Sequence, residues 1–170
     1  MTRRHATIDT RLGLLTLIAE GDALLGVYFP GHWYLPPPEA YGAQVDAAED
    51  ALFSQTHAQF GEYLTGARTA FDLPIDPRGN EFQRQVWTML LDIPYGATTS
   101  YGELAVRLGS RSLSQGVGQA VGHNPLSVII PCHRVVGHDG RLTGYAGGLE
   151  RKKLLLELEE PEEARAARLF

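Results

Sequence analysis

The stretch VIIPCHRVVGHDGRLTGYAGG, residues 128–148, holds the only cysteine of the chain. That single thiol limits what the fold can lean on. One cysteine closes no internal disulfide, so all 170 residues must be held together by apolar burial. The material suffices: 44% of residues are hydrophobic, enough for the core of one domain or two small lobes. The run Leu126-Ser-Val-Ile-Ile130 predicts a buried strand that delivers Cys132 to the interior, with His133 and Arg134 following.

Nothing at the start, MTRRHATIDT, has the apolar stretch and small-residue cleavage site of a secretory signal. The longest apolar runs, LLTLIA and LSVII, are too short to span a bilayer. A soluble, cytoplasmic protein with no membrane contact is expected. Net charge is −5, and the first 79 residues carry ten acidic against five basic side chains. Residues 80–149 are nearly balanced, with five basic and four acidic. No segment forms the basic patch of a typical nucleic-acid binder, so composition by itself favours a small-molecule enzyme.

Punctuation divides the chain into residues 1–79 and 80–170. In the first lobe, RLGLLTLIAEGDALLGVYFPG predicts two strands around Glu20-Gly21-Asp22. Three consecutive prolines in YLPPPEAYG mark a surface linker. Asp46 and Glu49 have capping-box spacing and predict a helix from Asp46, its apolar face carrying Val45, Ala48, Leu52, Phe60, Tyr63 and Leu64. FDLPIDPRGN predicts an edge strand and then the interlobe linker.

In the second lobe, Asn80 and Gln83 cap a helix, EFQRQVWTMLLD, that stops ahead of Pro94. Ser100 and Glu103 open a further helix, YGELAVRL, with Gly109 just past its end. After the turn GSRS a second short helix, Leu113 to Val121, closes at Gly122 and Pro125. Two short helices around a glycine-bearing turn fit helix-turn-helix, and equally an ordinary helical hairpin. The last helix, LERKKLLLELEE, ends at Pro161, and EEARAARLF is expected to fray. There are no internal repeats.

A cysteine is nucleophilic only as thiolate, which needs a neighbouring cation, base or helix N-terminus. His133 is adjacent, but successive side chains of an extended chain point to opposite faces. A Cys132–His133 relay therefore needs a bend at Pro131 or a bridging water, and the imidazole needs an orienting carboxylate. Glu157 and Glu159 are both candidates. Cys132 also fits the ordinary fate of a lone cysteine, a small buried hydrophobe. Six scattered histidines and one cysteine offer no zinc spacing, so no metal is expected. GYAGG matches no phosphate loop.

Taken in order, Asn124-Pro125, Pro131-Cys-His-Arg134 and Gly144-Tyr-Ala-Gly-Gly148, with FQRQVWTMLLDIPYGATTSYGELAVRLG before them, closely resemble the O6-alkylguanine-DNA alkyltransferases. These methylated-DNA–protein-cysteine methyltransferases include the bacterial Ogt-like members. The match covers roughly residues 80–160; the first lobe agrees only in general plan. The resemblance implies a ribonuclease-H-like α/β N-terminal lobe and a mainly α C-terminal lobe with helix-turn-helix. It implies irreversible, stoichiometric transfer of an alkyl group from guanine O6 in double-stranded DNA, and from thymine O4, to Cys132. No cofactor is implied, and the protein acts as a monomer in the minor groove on a flipped base, which a duplex would otherwise hide.

The resemblance also assigns roles. Glu159 orients His133, which activates Cys132 through a water. Tyr101 presses on the phosphate beside the lesion and reaches guanine N3, and Asn124 ties the turn to the thiol. Ser114, Gly116 and Gly118 of the second helix, together with Arg134, fall on the DNA side. Main-chain groups near Cys132, Val135, Tyr145 and Ala146 read the base edges. The two glycines fit close backbone approach to the groove, or else close helix packing; each costs about 1 kcal/mol against alanine within a helix.

Two positions depart from the family pattern. Gln115 stands where many members carry an intercalating arginine, and Arg111, four residues earlier, is the expected phosphate contact. Ala146 stands where a serine often follows the tyrosine. The competing reading is a lesion-binding protein without transfer, resembling the alkyltransferase-like proteins. Those replace the cysteine that this chain keeps. A Cys-His hydrolase leaves the two-helix motif unexplained.

Overall fold

The computed structural model describes residues 2–168. Three antiparallel strands begin the chain: β1 (Arg3–Thr10), β2 (Gly13–Glu20) and β3 (Ala23–Tyr28). The expected hairpin around Glu20-Gly21-Asp22 is β2–β3, and Gly21 takes the positive φ (59°) that the tight turn requires. The charged segment RRHATIDT, not read as a strand from sequence, is β1. It pairs along its whole length with β2, and Ala6 and Ile8 lie opposite Leu17 and Leu15 on the buried face. Only alternate residues of β1 are apolar, as expected of a strand with one face in the core. A short parallel strand, β4 (Ala43–Gln44), completes the order β3-β2-β1-β4.

Helix α1 (Ala51–Leu64) packs Leu52, Phe53, Phe60, Tyr63 and Leu64 into the core. Its start differs from expectation. Asp46 caps only a single 3-10 turn, Ala47–Glu49, and Asp50 is the residue that accepts the Phe53 N–H at 3.1 Å. Two acidic caps four residues apart compete for one start, and the nearer one opens the α-helix. FDLPIDPRGN pairs with β3 at a single bridge, Leu24 with Ile75. Val27 in the same strand is bridged to Leu126, so both the connecting segment and a turn of the C-terminal half cover the β3 edge.

Helix α2 (Glu81–Leu91) carries the complete reciprocal capping box of Asn80 and Gln83. Helix α3 (Tyr101–Arg107) is capped by Ser100, while the Glu103 carboxylate accepts from Thr99 Oγ1 instead of closing the box. A 3-10 turn, Arg111–Leu113, leads into α4 (Ser114–Gly122). The indole of Trp87 in α2 donates to Ala120 O of α4 at 2.8 Å, in the buried core. Strands β5 (Thr99–Ser100) and β6 (Val135–Val136) pair in parallel and bring the start of α3 beside the cysteine segment.

The LSVII segment is not a strand. Val128 has φ 71°, and Ile129 N–H donates to Ser127 O at 2.9 Å, so the chain makes a γ-turn in the strained left-handed region. Helix α5 (Leu149–Glu159) ends before Pro161 as expected. The tail does not simply fray: residues Glu162–Arg168 form α6. The last two residues of EEARAARLF lie outside the described residues. Among the described residues no helix is long and apolar enough to cross a membrane.

Because the Trp87–Ala120 bond is buried, Trp87→Phe removes both a hydrogen bond and indole volume from the α2–α4 contact. Urea denaturation should show a loss of about 2 kcal/mol. An unchanged midpoint would show that the contact contributes nothing.

Candidate active site

The bend that a Cys132–His133 relay needs is present. Pro131 has φ −80° and ψ 65°, and Cys132 N–H donates to Ile130 O at 2.8 Å, an inverse γ-turn. Cys132–Arg134 then make one 3-10 turn, which turns successive side chains to different directions within the core. Cys132 is 3% exposed and His133 fully buried. The histidine ring does not bond the thiol directly: its Nδ1 is buried with no hydrogen-bond partner.

Of the two glutamates, Glu159 is the one that meets the imidazole. Its Oε2 lies 2.8 Å from His133 Nε2 and also accepts from Tyr63 Oη and, at 2.9 Å, from Arg134. Oε1 accepts from Arg134 Nε at 2.7 Å, so the guanidinium grips the carboxylate with two donors. Burial pushes the Glu159 carboxyl up, but the bonds from His133, Arg134 and Tyr63 outweigh it and hold its pKa at about 2. Glu159 is therefore an acceptor only. Burial pulls His133 down more strongly than Glu159 raises it, which keeps the imidazole neutral near pH 7. The ring proton then sits on Nε2, and Nδ1 is the free base.

Burial also pushes the Cys132 thiol up, and three neighbours oppose it: Asn124, the Lys152 ammonium and Tyr145. Asn124, 2% exposed, donates from Nδ2 to Ile130 O at 2.8 Å and accepts the Leu126 N–H at 2.9 Å, so it ties the turn to the thiol. Lys152 was not singled out from sequence. It is fully buried, donates to Thr143 O at 3.2 Å, and its pKa is lowered to about 8 by burial. A signal for it exists: Lys152, Leu155 and Glu159, at i, i+3 and i+7, form the buried stripe of α5. Two charges on a helix's core face mark a site. Tyr101, at the start of α3, lies within electrostatic reach of Cys132, and its hydroxyl accepts from Thr143 Oγ1 at 3.0 Å. The Tyr145 hydroxyl is buried and couples to the sulfur without the geometry of a full hydrogen bond.

Other expected residues fall elsewhere. Arg134, placed on the DNA side from sequence, is 8% exposed and turned inward: besides gripping Glu159 it donates to Ile93 O at 2.6 Å. A guanidinium occupied on all three nitrogens acts as an internal anchor. Val135 is fully buried in β6, and its N–H donates to Cys132 O. The carbonyls of Tyr145 and Ala146 are taken by Gly148 N–H at 2.9 Å and Trp33 N–H at 3.0 Å.

Arg111, Gln115 and Gly116 are exposed, with Ser114 and Gly118 partly so, on α4 and the turn before it. The end of α4 connects to the thiol cluster through Asn124. Ser114 Oγ closes the turn on Arg111 O at 2.7 Å. A Cβ on Gly116 would sit 3.7 Å from the Phe82 ring, and one on Gly118 3.8 Å from Tyr101. Both are ordinary contact distances, so packing inside the protein does not demand glycine at either position.

Two family models match the chain: the 6-O-methylguanine DNA methyltransferase ribonuclease-like domain over residues 4–77, and the DNA-binding domain of the same family over residues 81–161. The methylated-DNA–protein-cysteine methyltransferase of Mycobacterium tuberculosis is 44% identical over 164 residues, covering 92% of each chain. That of Mycolicibacterium paratuberculosis is 42% identical over 98% of each. The crystal structure of M. tuberculosis OGT in complex with DNA superimposes with a TM-score of 0.83 at 43% identity, over 92% of each chain. An α/β ribonuclease-like lobe and a helical DNA-binding lobe agree with these matches, and the chain belongs to the 6-O-methylguanine DNA methyltransferase family.

Proposed function

We propose that this chain repairs DNA by moving an alkyl group from guanine O6, and from thymine O4, to Sγ of Cys132. The observation that carries the reading is the His133 ring held by Glu159 at Nε2 with Nδ1 unpartnered, next to a buried thiol. In the reaction His133 Nδ1 takes the thiol proton through a water, and the thiolate attacks the alkyl carbon. The bond from that carbon to O6 breaks, its electron pair stays with the base, and the base regains its ring N–H. The net proton passes from thiol to guanine. A thioether has no bond that water readily breaks, so each molecule acts once.

Lys152 supports the thiolate by charge, and its lowered pKa implies that this support fades above about pH 8. Tyr101 presses on the phosphate beside the lesion and reaches guanine N3. Main-chain groups near Cys132, Val135, Tyr145 and Ala146 read the edges of the base. Residues 80–170 act as the DNA-binding lobe and 1–79 as its support. Helices α3 and α4 serve as helix-turn-helix, α4 entering the minor groove with Gly116 and Gly118 against the backbone and Gln115 filling the gap of the flipped base. Arg111 holds a phosphate. The protein works in the cytoplasm as a monomer on double-stranded DNA. Retention of Cys132 favours this over lesion binding without transfer.

Incubation with methylated DNA should leave one alkyl group per protein, all on the Cys132 peptide, and multiple turnover would contradict the mechanism. Cys132→Ser should abolish transfer while DNA affinity stays within about twofold. Glu159→Gln removes the support for an imidazolium, so transfer should slow by about tenfold or more and the thiol titration move to higher pH. A midpoint equal to the parent's would show the relay misassigned. Gly116→Ala and Gly118→Ala should each stabilise the fold by up to about 1 kcal/mol yet weaken DNA binding. Stabilisation with unchanged affinity would place α4 away from the DNA.

A further inference from the structure

The relay draws on a residue that lies outside the helical lobe. Tyr63 sits in the last turn of α1, 1% exposed, and its hydroxyl donates to Glu159 Oε2, the same oxygen that faces His133 Nε2. The residues are 96 positions apart in sequence. The Tyr63 ring packs against Phe71 at 5.1 Å and edge-on to Tyr95 at 6.3 Å. Tyr95 in turn donates to Leu158 O and lies under the Arg134 guanidinium. A phenol packed this tightly has one direction in which to aim its O–H, and that direction is the carboxylate.

Resting on the reaction proposed above, we propose that Tyr63 is a positioning residue of the relay: its hydroxyl fixes the Glu159 carboxylate and limits how strongly that carboxylate holds the His133 ring proton. The physics is competition at one oxygen. A donor on Oε2 disperses its negative charge, so the imidazolium beside it is less stabilised. With Tyr63 in place His133 stays neutral, and therefore basic at Nδ1, down to lower pH. The other charges acting on the ring oppose one another: Glu159 of α5 raises its pKa, while Arg134 and Lys152 lower it. Burial and the Glu159 charge hold the Tyr63 phenol protonated well above neutral pH, so it remains a donor wherever the protein works. The N-terminal lobe, on this account, tunes the chemistry of the C-terminal one.

The test is the pH profile of alkyl transfer from methylated DNA under single-turnover conditions, alongside the thermal midpoint. Tyr63→Phe keeps the ring and removes the donor. His133 should become easier to protonate, and the acid limb should move to higher pH by about half a unit or more. Replacing Tyr63 with 3-fluorotyrosine, a stronger donor of almost the same size, should move the limb the opposite way. This second variant decides the matter if Tyr63→Phe does not fold. A lowered thermal midpoint with the acid limb unmoved in these variants would make Tyr63 a packing residue and overturn the inference, while slow transfer by Glu159→Gln would leave the relay standing. Transfer by Glu159→Gln at the parental rate would overturn the relay and the inference with it.

Discussion

One buried carboxylate holds the site together. Glu159 is 3% exposed, and taking a carboxylate that far from water is unfavourable by several kcal/mol unless its lone pairs are met. Here Tyr63, His133 and a two-pronged Arg134 meet them, and the donors come from two separate parts of the structure. Tyr63 belongs to α1, His133 and Arg134 to the cysteine turn, and Arg134 also binds Ile93 O after α2. The bond set therefore fixes α1, α5, the end of α2 and the Cys132 turn relative to one another. Removing any donor leaves buried charge less satisfied, so stability and chemistry share these bonds.

The same burial governs the nucleophile. A thiol that is 3% exposed and pushed toward its protonated form is a poor target for electrophiles in solution. For a protein consumed by one reaction, such reserve preserves capacity. Reactivity rests in neighbours that oppose the desolvation: Asn124, the Lys152 ammonium and the base at His133 Nδ1. The strained Val128 turn and the Pro131 γ-turn aim Cys132 into this cluster. A plain strand through LSVII would have sent Cys132 and His133 to opposite faces.

Much of this was legible in the sequence, and the gaps have physical causes. Helices α2 to α5 announce themselves through Asn80, Ser100, Gly109 and Pro161, because caps and breakers act locally. Strand β1 was hidden because its exposed face is charged and only alternate residues enter the core. The apolar run at 126–130 reads as a strand by composition, yet the Asn124 side chain bonds the backbone at both ends of it and bends it into a turn. Glu159 could be paired with His133 from sequence only through the family resemblance, since periodicity left Glu157 equally open. Arg134 fell on the DNA side only with the family resemblance, and its partner Glu159 lies 25 residues away in sequence, beyond the reach of any local pairing rule. Tyr63 reads as core and Lys152 was not singled out, and only the packed structure brings them to the site.

The protonation of His133 at rest tests the account most directly. Nitrogen-15 shifts of the six histidines in the unmodified protein at neutral pH would identify the state of each ring. The His133 ring should carry its single proton on Nε2, toward Glu159, with Nδ1 bare. A ring protonated on Nδ1, or on both nitrogens, would leave no base to receive the thiol proton and would contradict the mechanism.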